Sequence, residues 1–284
     1  MNDKEQPPFG IFAPTPRQRF FNKITQQLPP TYAGRKISSL LLGLAGGRAK
    51  RPKDVIVFGS QKARLYTHDN ICEKRVYATP QFWDPAERNA LADAITKRSQ
   101  QQDPTFYFLD VGANAGLYTL FARSVAKKSN TALKAVCIEP DHGMRARLNF
   151  NIAVSKADDD IRVYAYAAAA SRGPLQFSAN TKSRGMNKVE ESGTVTVQGA
   201  PLVDILLMET AIPRLDAMKI DIEGYEQPVL EAFFQNAPAH LLPHQIIIEI
   251  SHDHAEGGAL ARCKMAGYEI AFTTKMNAVL NKVA

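Results

Sequence analysis

The chain has 284 residues, 45% of them apolar and 22% charged, a balance that builds a globular core and excludes a low-complexity or disordered polymer. No apolar run reaches the roughly 20 residues needed to cross a bilayer, and Cys72, Cys137 and Cys263 form neither an even disulfide framework nor a CxxC metal spacing. Lys and Arg total 35 against 28 acids, a formal charge of +7 that suits an anionic partner, and a reducing cytoplasm is the expected compartment.

Met1 to Pro8 carries charges and prolines where a secretory leader would carry an apolar run. Residues 1–52 are broken by Pro7, Pro8, Pro14, Pro16, Pro29 and Pro30 and read as an arm or cap, with one predicted helix over 17–27. Ser38 to Gly46 is apolar and flanked by Arg35-Lys36 and Arg48-Ala49-Lys50-Arg51. It reads as a helix packed on the main domain, with a surface-seeking amphipathic segment as the alternative. A domain over 53–284 follows, beginning with a predicted hairpin (54–58 and 63–67, turning near Gly59) and a helix over 84–99.

From residue 104 onward, strands and helices alternate, which predicts a parallel sheet with crossover helices. Strands are expected at 106–111, 135–138, 161–169, 217–222 and 245–250, and helices at 119–125, 141–153, 202–209, 227–234 and 255–265. Residues 171–201 read as an irregular, β-like polar insertion whose basic stretch, 180–188, suits a lid over an anionic or carbohydrate acceptor. Residues 268–273 and 277–283 are expected to close the sheet as an antiparallel pair. The count fits a seven-stranded, doubly wound, Rossmann-like α/β sheet.

The most informative stretch runs from Thr105 to Gly116. An apolar strand leads into Asp110 and the loop Gly112-Ala113-Asn114-Ala115-Gly116. Glycines there permit a sharp turn and a close approach to the main chain. A dinucleotide loop would read G-x-G-x-x-G and close on a pyrophosphate. This loop lacks the third glycine and follows an acid, which suits a ligand with a positive centre and no phosphate, such as S-adenosylmethionine. Glu139 ends the next strand 23 residues beyond Gly116, near the interval at which an acid takes ribose hydroxyls in nucleotide-binding folds. A diol can donate two hydrogen bonds to one carboxylate.

Lys219-Ile220-Asp221-Ile222-Glu223-Gly224-Tyr225-Glu226 ends the fourth strand. If extension persists, Asp221 and Glu223 share one face. They could hold an amino group, position a substrate hydroxyl or take its proton. His252 and His254 follow the fifth strand and are further candidates for the base. His-x-His without a convincing third ligand predicts no metal site. Tyr118 and Tyr225 flank the loops, while Trp83 carries no functional signal of its own.

Together, Asp110-Val111-Gly112-Ala113-Asn114-Ala115-Gly116, Ile138-Glu139-Pro140 and the 219–226 block resemble the FkbM family of S-adenosylmethionine-dependent methyltransferases, over roughly residues 54–273. The resemblance implies a class I methyltransferase fold and methyl transfer to a hydroxyl of a saccharide, polyketide or similar metabolite. It places Asp110, Gly112, Asn114 and Gly116 around the cofactor, Glu139 at its ribose, and Asp221 and Glu223 at the inner edge of the active site; apart from the resemblance, Ala113 in the same loop is a further cofactor-binding candidate and His252 a further catalytic one. RNA methylation and a non-catalytic binding role on the same fold are the competing expectations. No motif for specific nucleic-acid binding accompanies the basic charge, and peripheral membrane contact stays open.

Overall fold

In a parallel sheet covered on both faces, strands read as continuous apolar runs, and this pattern organises the molecule. The computed structural model describes residues 6–178, 188–189, 193, 195–209, 212–251, 253 and 257–283. The arm contributes helices α1 (Pro16–Gln27) and α2 (Tyr32–Leu41). Thr15 caps α1 through a reciprocal capping box with Gln18. The hairpin follows as β1 (Lys53–Val57) and β2 (Gln61–Leu65), antiparallel, then α3 (Ile71–Ala78), a 3-10 turn (Pro80–Phe82) and α4 (Pro85–Arg98).

The arm is stitched to this hairpin by a buried ion pair. Arg64 Nε lies 2.7 Å from Asp54 Oδ1, and Asp54 Oδ2 accepts from the backbone N–H groups of Gly10 and Phe12. Pairing and backbone donors together satisfy a carboxylate that burial alone would penalise. Further along, Gln26 donates to the Tyr77 carbonyl, and Gln81 donates to the carbonyls of Thr25 and Leu28.

The main sheet then forms from β3 (Thr105–Val111), α5 (Leu117–Lys128), β4 (Ala132–Ile138), α6 (His142–Val154) and β5 (Ile161–Tyr164). A second sheet takes β6 (Ala167–Ala168), β7 (Gly173–Ser178), β8 (Lys188–Val189) and β9 (Val195–Ala200). The chain returns through α7 (Leu202–Leu206), β10 (Ala217–Ile220), α8 (Glu226–Asn236), β11 (Gln245–Glu249), α9 (Ala259–Met265), β12 (Tyr268–Thr273) and β13 (Asn277–Lys282). The seven strands run β12-β13-β11-β10-β3-β4-β5, parallel except for β13, which lies antiparallel to both its neighbours.

Alternation along the strands divides the core. Phe106, Phe108, Leu133, Ala135, Cys137, Ala217 and Ile247 face a cluster with Leu91, Ile95 and Leu120 from α4 and α5. Leu109, Val111, Val136, Ile138, Met218, Ile220, Ile246 and Ile248 face the opposite cluster, with residues of α7, α8 and α9. Both faces are therefore dry, as a doubly wound sheet requires.

Several expectations change. The strand expected over 161–169 is two strands in two sheets: pairing with β4 stops at Tyr164, and Ala167 pairs with Gly199 instead. The insertion is an organised sheet on its described residues, with β7 and β9 antiparallel. The fourth strand stops at Ile220, and Glu223 takes a left-handed φ of 56°, so the premise of a continued extended face for Asp221 and Glu223 fails. Helix α3 is additional, and the helix read over 38–46 lies earlier in the chain, as α2 (Tyr32–Leu41). Residues 38–46 pack inward through Ser38 and Ala45 but leave Leu40 and Leu44 exposed. Among the described residues no helix is long and apolar enough to cross a membrane.

Candidate active site

The carboxyl ends of β11, β10, β3 and β4 lie side by side, and each ends in or next to a charged residue: Glu249, Lys219, Asp110 and Glu139. Register places Lys219 beside Asp110, and Asp110 beside Cys137. Asp110 and Lys219 share the sheet face of Phe108 and Ala217 by alternation. Over that face come α3 and the turn after it, which carry Cys72, Trp83 and Asp84 into a cleft enclosing about 940 Å³ including its open mouth.

The loop 112–116 satisfies its own backbone. Gly112 and Ala113 N–H groups donate to the Ile138 carbonyl, Asn114 N–H to Glu139 Oε2 at 2.8 Å, Ala115 N–H to Asn114 Oδ1, and Gly116 N–H to the Ala113 carbonyl. No N–H of the loop is left to cradle a phosphate, which agrees with the absence of a dinucleotide signature. The two glycines are needed for the protein's own packing. Both have positive φ, 75° at Gly112 and 79° at Gly116. A Cβ would meet the Asp221 carbonyl at 2.0 Å in the first and Leu148 Cδ1 at 2.3 Å in the second. Contact with the loop after β10 at Gly112, and with α6 at Gly116, calls for glycine at both positions, in addition to the ligand approach expected of the loop.

Glu139 is buried and lines the cleft. Its Oε2 accepts from Asn114 N–H and its Oε1 from Asp141 N–H, each at 2.8 Å. Burial pushes its pKa up to about 7, against the two backbone donors that hold it down. Each oxygen keeps a further lone pair for a ligand hydroxyl.

Asp110 is also buried, and its Oδ2 accepts from the Thr119 hydroxyl at 2.6 Å. Burial raises its pKa, with the Lys219 charge opposing. Lys219 Nζ donates to Asp221 Oδ2 at 2.8 Å and lies 4.9 Å from the Tyr118 ring centre. Burial alone would lower the lysine pKa, but the carboxylates of Asp221 and Asp110 outweigh it and the value ends above the ordinary one. Asp84, in a left-handed conformation at φ 40°, accepts from the Tyr118 hydroxyl at 3.0 Å. Among the described residues the charged lining is thus Asp84, Asp110, Glu139, Asp221 and Glu223 against Lys219. That excess of carboxylate suits a cationic ligand, although the whole chain is basic.

Beyond Asp221 the edge continues to Glu249. Single oxygens of Asp221, Glu223 and Glu249 come within 4.8 Å of one another, close enough to hold a divalent cation, an option that the expectation of a metal-free site left out. Glu249 Oε1 accepts from the Ser251 hydroxyl, while Oε2 is buried with no hydrogen-bond donor among the described residues. Burial first, then the Asp221 and Glu223 charges, push its pKa up to about 8, so a proton shared between Glu249 and Asp221 relieves the same repulsion.

Asp110, Gly112, Ala113, Asn114, Glu139, Asp221 and Glu223 therefore meet in one cleft, with Gly116 just behind it at the start of α5. Tyr118 and Tyr225 also line it. His252, His254 and residues 180–187 of the proposed lid lie outside the described residues. Sequence reasoning missed Asp84, Trp83, Lys219 and Glu249. Glu249 has the signature of Asp110 and Glu139, an acid closing an apolar strand, in Ile246-Ile247-Ile248-Glu249; Asp84 has no local signature and reaches the cleft only through the fold.

Among proteins of known identity, the hexuronic acid methyltransferase AglP of Haloferax volcanii is 22% identical over 157 residues, which are 55% of this chain and 62% of that protein, so the chain spans less than two thirds of the relative's length. A crystal structure of methyltransferase FkbM from Methylobacillus flagellatus aligns over 74% of this chain and 54% of that chain, at 14% identity and a TM-score of 0.43. The O-methyltransferase from Bacillus cereus, solved in complex with SAH, aligns over 93% and 97% at 11% identity and a TM-score of 0.42. Residues 110–281 match the methyltransferase FkbM domain, starting at the acid of the first motif and leaving out 54–109, which the resemblance had included. With more than half of its length in that match, the chain belongs to the FkbM methyltransferase family.

Proposed function

We propose that the protein is an S-adenosylmethionine-dependent methyltransferase that methylates a hydroxyl of a saccharide or another small metabolite. The observation that carries this reading is the cleft at the strand ends, where Glu139 offers a carboxylate suited to a diol and, among the described residues, five acids face one lysine. A sulfonium and an amine are the cationic groups that such a lining suits. The saccharide class rests on the relative whose name gives a hexuronic acid as substrate. S-adenosylmethionine supplies an electrophilic methyl group when bound.

The chain's own residues orient and deprotonate. Glu139 takes the ribose hydroxyls, and the loop 112–116, its backbone already satisfied, keeps its shape without reorganising. With both reactants held by the cleft, orientation would supply most of the catalysis. Asp221, Glu223 and Glu249 form the edge that receives the acceptor. Glu249, with Asp221 beside it, takes the hydroxyl proton; a carboxyl whose pKa is raised toward neutrality is matched to that task. His252 remains the alternative acceptor on sequence grounds.

Four results test these roles. Incubation with labelled methyl donor and fractionated metabolites should label one hydroxylated product; label appearing in RNA alone would overturn the acceptor class. Glu139→Ala should weaken S-adenosylmethionine binding about ten- to a hundredfold, the worth of hydrogen bonds to a charged group. In the unaltered protein, affinity should fall as the pH drops through about 7, because a protonated Glu139 is a poorer acceptor; calorimetry across that range reads both. Glu249→Gln should lower kcat about a hundredfold or more with cofactor affinity unchanged, and should remove the rise in rate as the pH climbs through about 8. A pH-rate profile that Glu249→Gln leaves in place would move the base elsewhere.

A further inference from the structure

The charge of the molecule is not spread over it. Residues 1–52 hold nine Lys and Arg against two acids, while residues 53–284 hold 26 of each, so the net +7 belongs to the arm and the rest is neutral. In the described part of the arm, 6–52, eight Lys and Arg are all exposed and no acid accompanies them. Among the described residues none of the eight forms a salt bridge.

The same surface presents large apolar side chains. Helix α2 buries its small residues, Gly34 and Ser38. Tyr32 and Leu40 are 76% and 79% exposed, and Ile37 is exposed with them. At 100° per residue these three lie within one side of the helix, together with Lys36, whose Nζ sits 5.3 Å from the Tyr32 ring centre. Leu44 continues the line in the turn beyond the helix, and Phe20 on α1 is 62% exposed. A helix that packs with its small side and shows its large side to water forgoes the transfer energy of those side chains unless something covers them.

Charge decides the occupant. A second copy would bring an equally basic arm against this one, which repels. A nucleic acid would use the cations but has no use for a leucine and isoleucine stripe. An anionic bilayer uses both, since an amphipathic helix lies in the interface with its apolar side in the acyl boundary and its cations at the headgroups. We propose that the arm docks the protein on an anionic lipid surface through the Tyr32, Ile37 and Leu40 face of α2. The arm rests on α3 and the turn ending at Phe82, which Arg35 stacks over at 5.0 Å, and the next residues, Trp83 and Asp84, line the cleft. Docking therefore brings the cleft within one layer of structure of the membrane.

The test needs no activity and so stands apart from the methyl-transfer reading. The full chain is sedimented with phosphatidylcholine vesicles, with and without phosphatidylglycerol, at low and high salt. Binding to the anionic vesicles should exceed that to neutral ones about tenfold or more, and salt should weaken it. Leu40→Glu should lower the partition coefficient about tenfold, and Lys36→Gln with Lys50→Gln about fivefold per charge removed. Because these side chains are exposed, circular dichroism and the thermal midpoint should stay unchanged. No binding to anionic vesicles, binding that Leu40→Glu leaves intact, or retention by a single-stranded RNA oligonucleotide with none by vesicles would each overturn the proposal.

Discussion

Lys219→Met should lower the unfolding free energy by about 3–5 kcal/mol, the cost of leaving buried charge without its partner. Lys219 is 6% exposed, pairs with Asp221 at 2.8 Å and lies in register with Asp110, itself 1% exposed. Methionine fills a similar volume, so the loss is electrostatic rather than a cavity. The pH dependence distinguishes the two causes. Asp110 binds its proton more tightly in the folded state than in the unfolded chain, because burial raises its pKa. Its contribution to stability therefore falls as the pH rises from the unfolded value through the folded one. Without Lys219 the folded pKa moves higher still, so the deficit of the variant should shrink in acid and grow toward neutrality. Asp110→Asn in the same background should recover part of it, since an amide keeps a partner for Thr119 without the charge. Urea denaturation followed by the single tryptophan, Trp83, which is 2% exposed, reads the change. A deficit below about 1 kcal/mol, flat in pH, would make the pair a neutral feature of the fold.

That lysine also marks where the sequence was readable and where it was not. The strands β3, β4, β10 and β11 are continuous apolar runs, so their existence, order and carboxyl-terminal acids follow from composition along the chain. Lys219 was visible in the motif, but its burial between Asp110 and Asp221 is a matter of register between strands more than a hundred residues apart. Helix α3 was hidden because its inward face carries Glu73, fully buried and paired with Arg147 at 2.7 Å, which breaks the apolar period. Helix α2 was blurred for the opposite reason, its large apolar residues facing out. The sheet switch between β5 and β6 falls in Tyr164-Ala165-Tyr166-Ala167, where strand-forming residues run on through a change of partner. Asp84 shows the limit most plainly, for nothing near it in the chain distinguishes it from any acid before a helix.

Gly112→Ala should destabilise the fold and empty the cofactor site together. A residue with a side chain at φ 75° carries about 1–2 kcal/mol of left-handed strain. The added Cβ would also sit 2.0 Å from the Asp221 carbonyl, a backbone atom with no rotamer to turn away. Relief requires the loop 112–116 to part from the 221–224 loop, and both loops line the cleft, through Asn114 and Asp221. The same movement pulls Asn114 N–H from Glu139 and leaves that carboxylate buried with one donor fewer. A loss of about 3 kcal/mol or more in urea denaturation is expected, with strain and overpacking adding, and S-adenosylmethionine affinity should fall in step. Gly267→Ala supplies the control. Gly267 has φ 85° but meets nothing within 4 Å of its absent Cβ, so it isolates the strain and should cost only about 1–2 kcal/mol with binding intact. Equal losses in the two variants would mean that conformation alone selects glycine at 112. A larger loss at Gly112, accompanied by weaker binding, ties the first glycine of the motif to the spacing between the cofactor loop and the acidic edge.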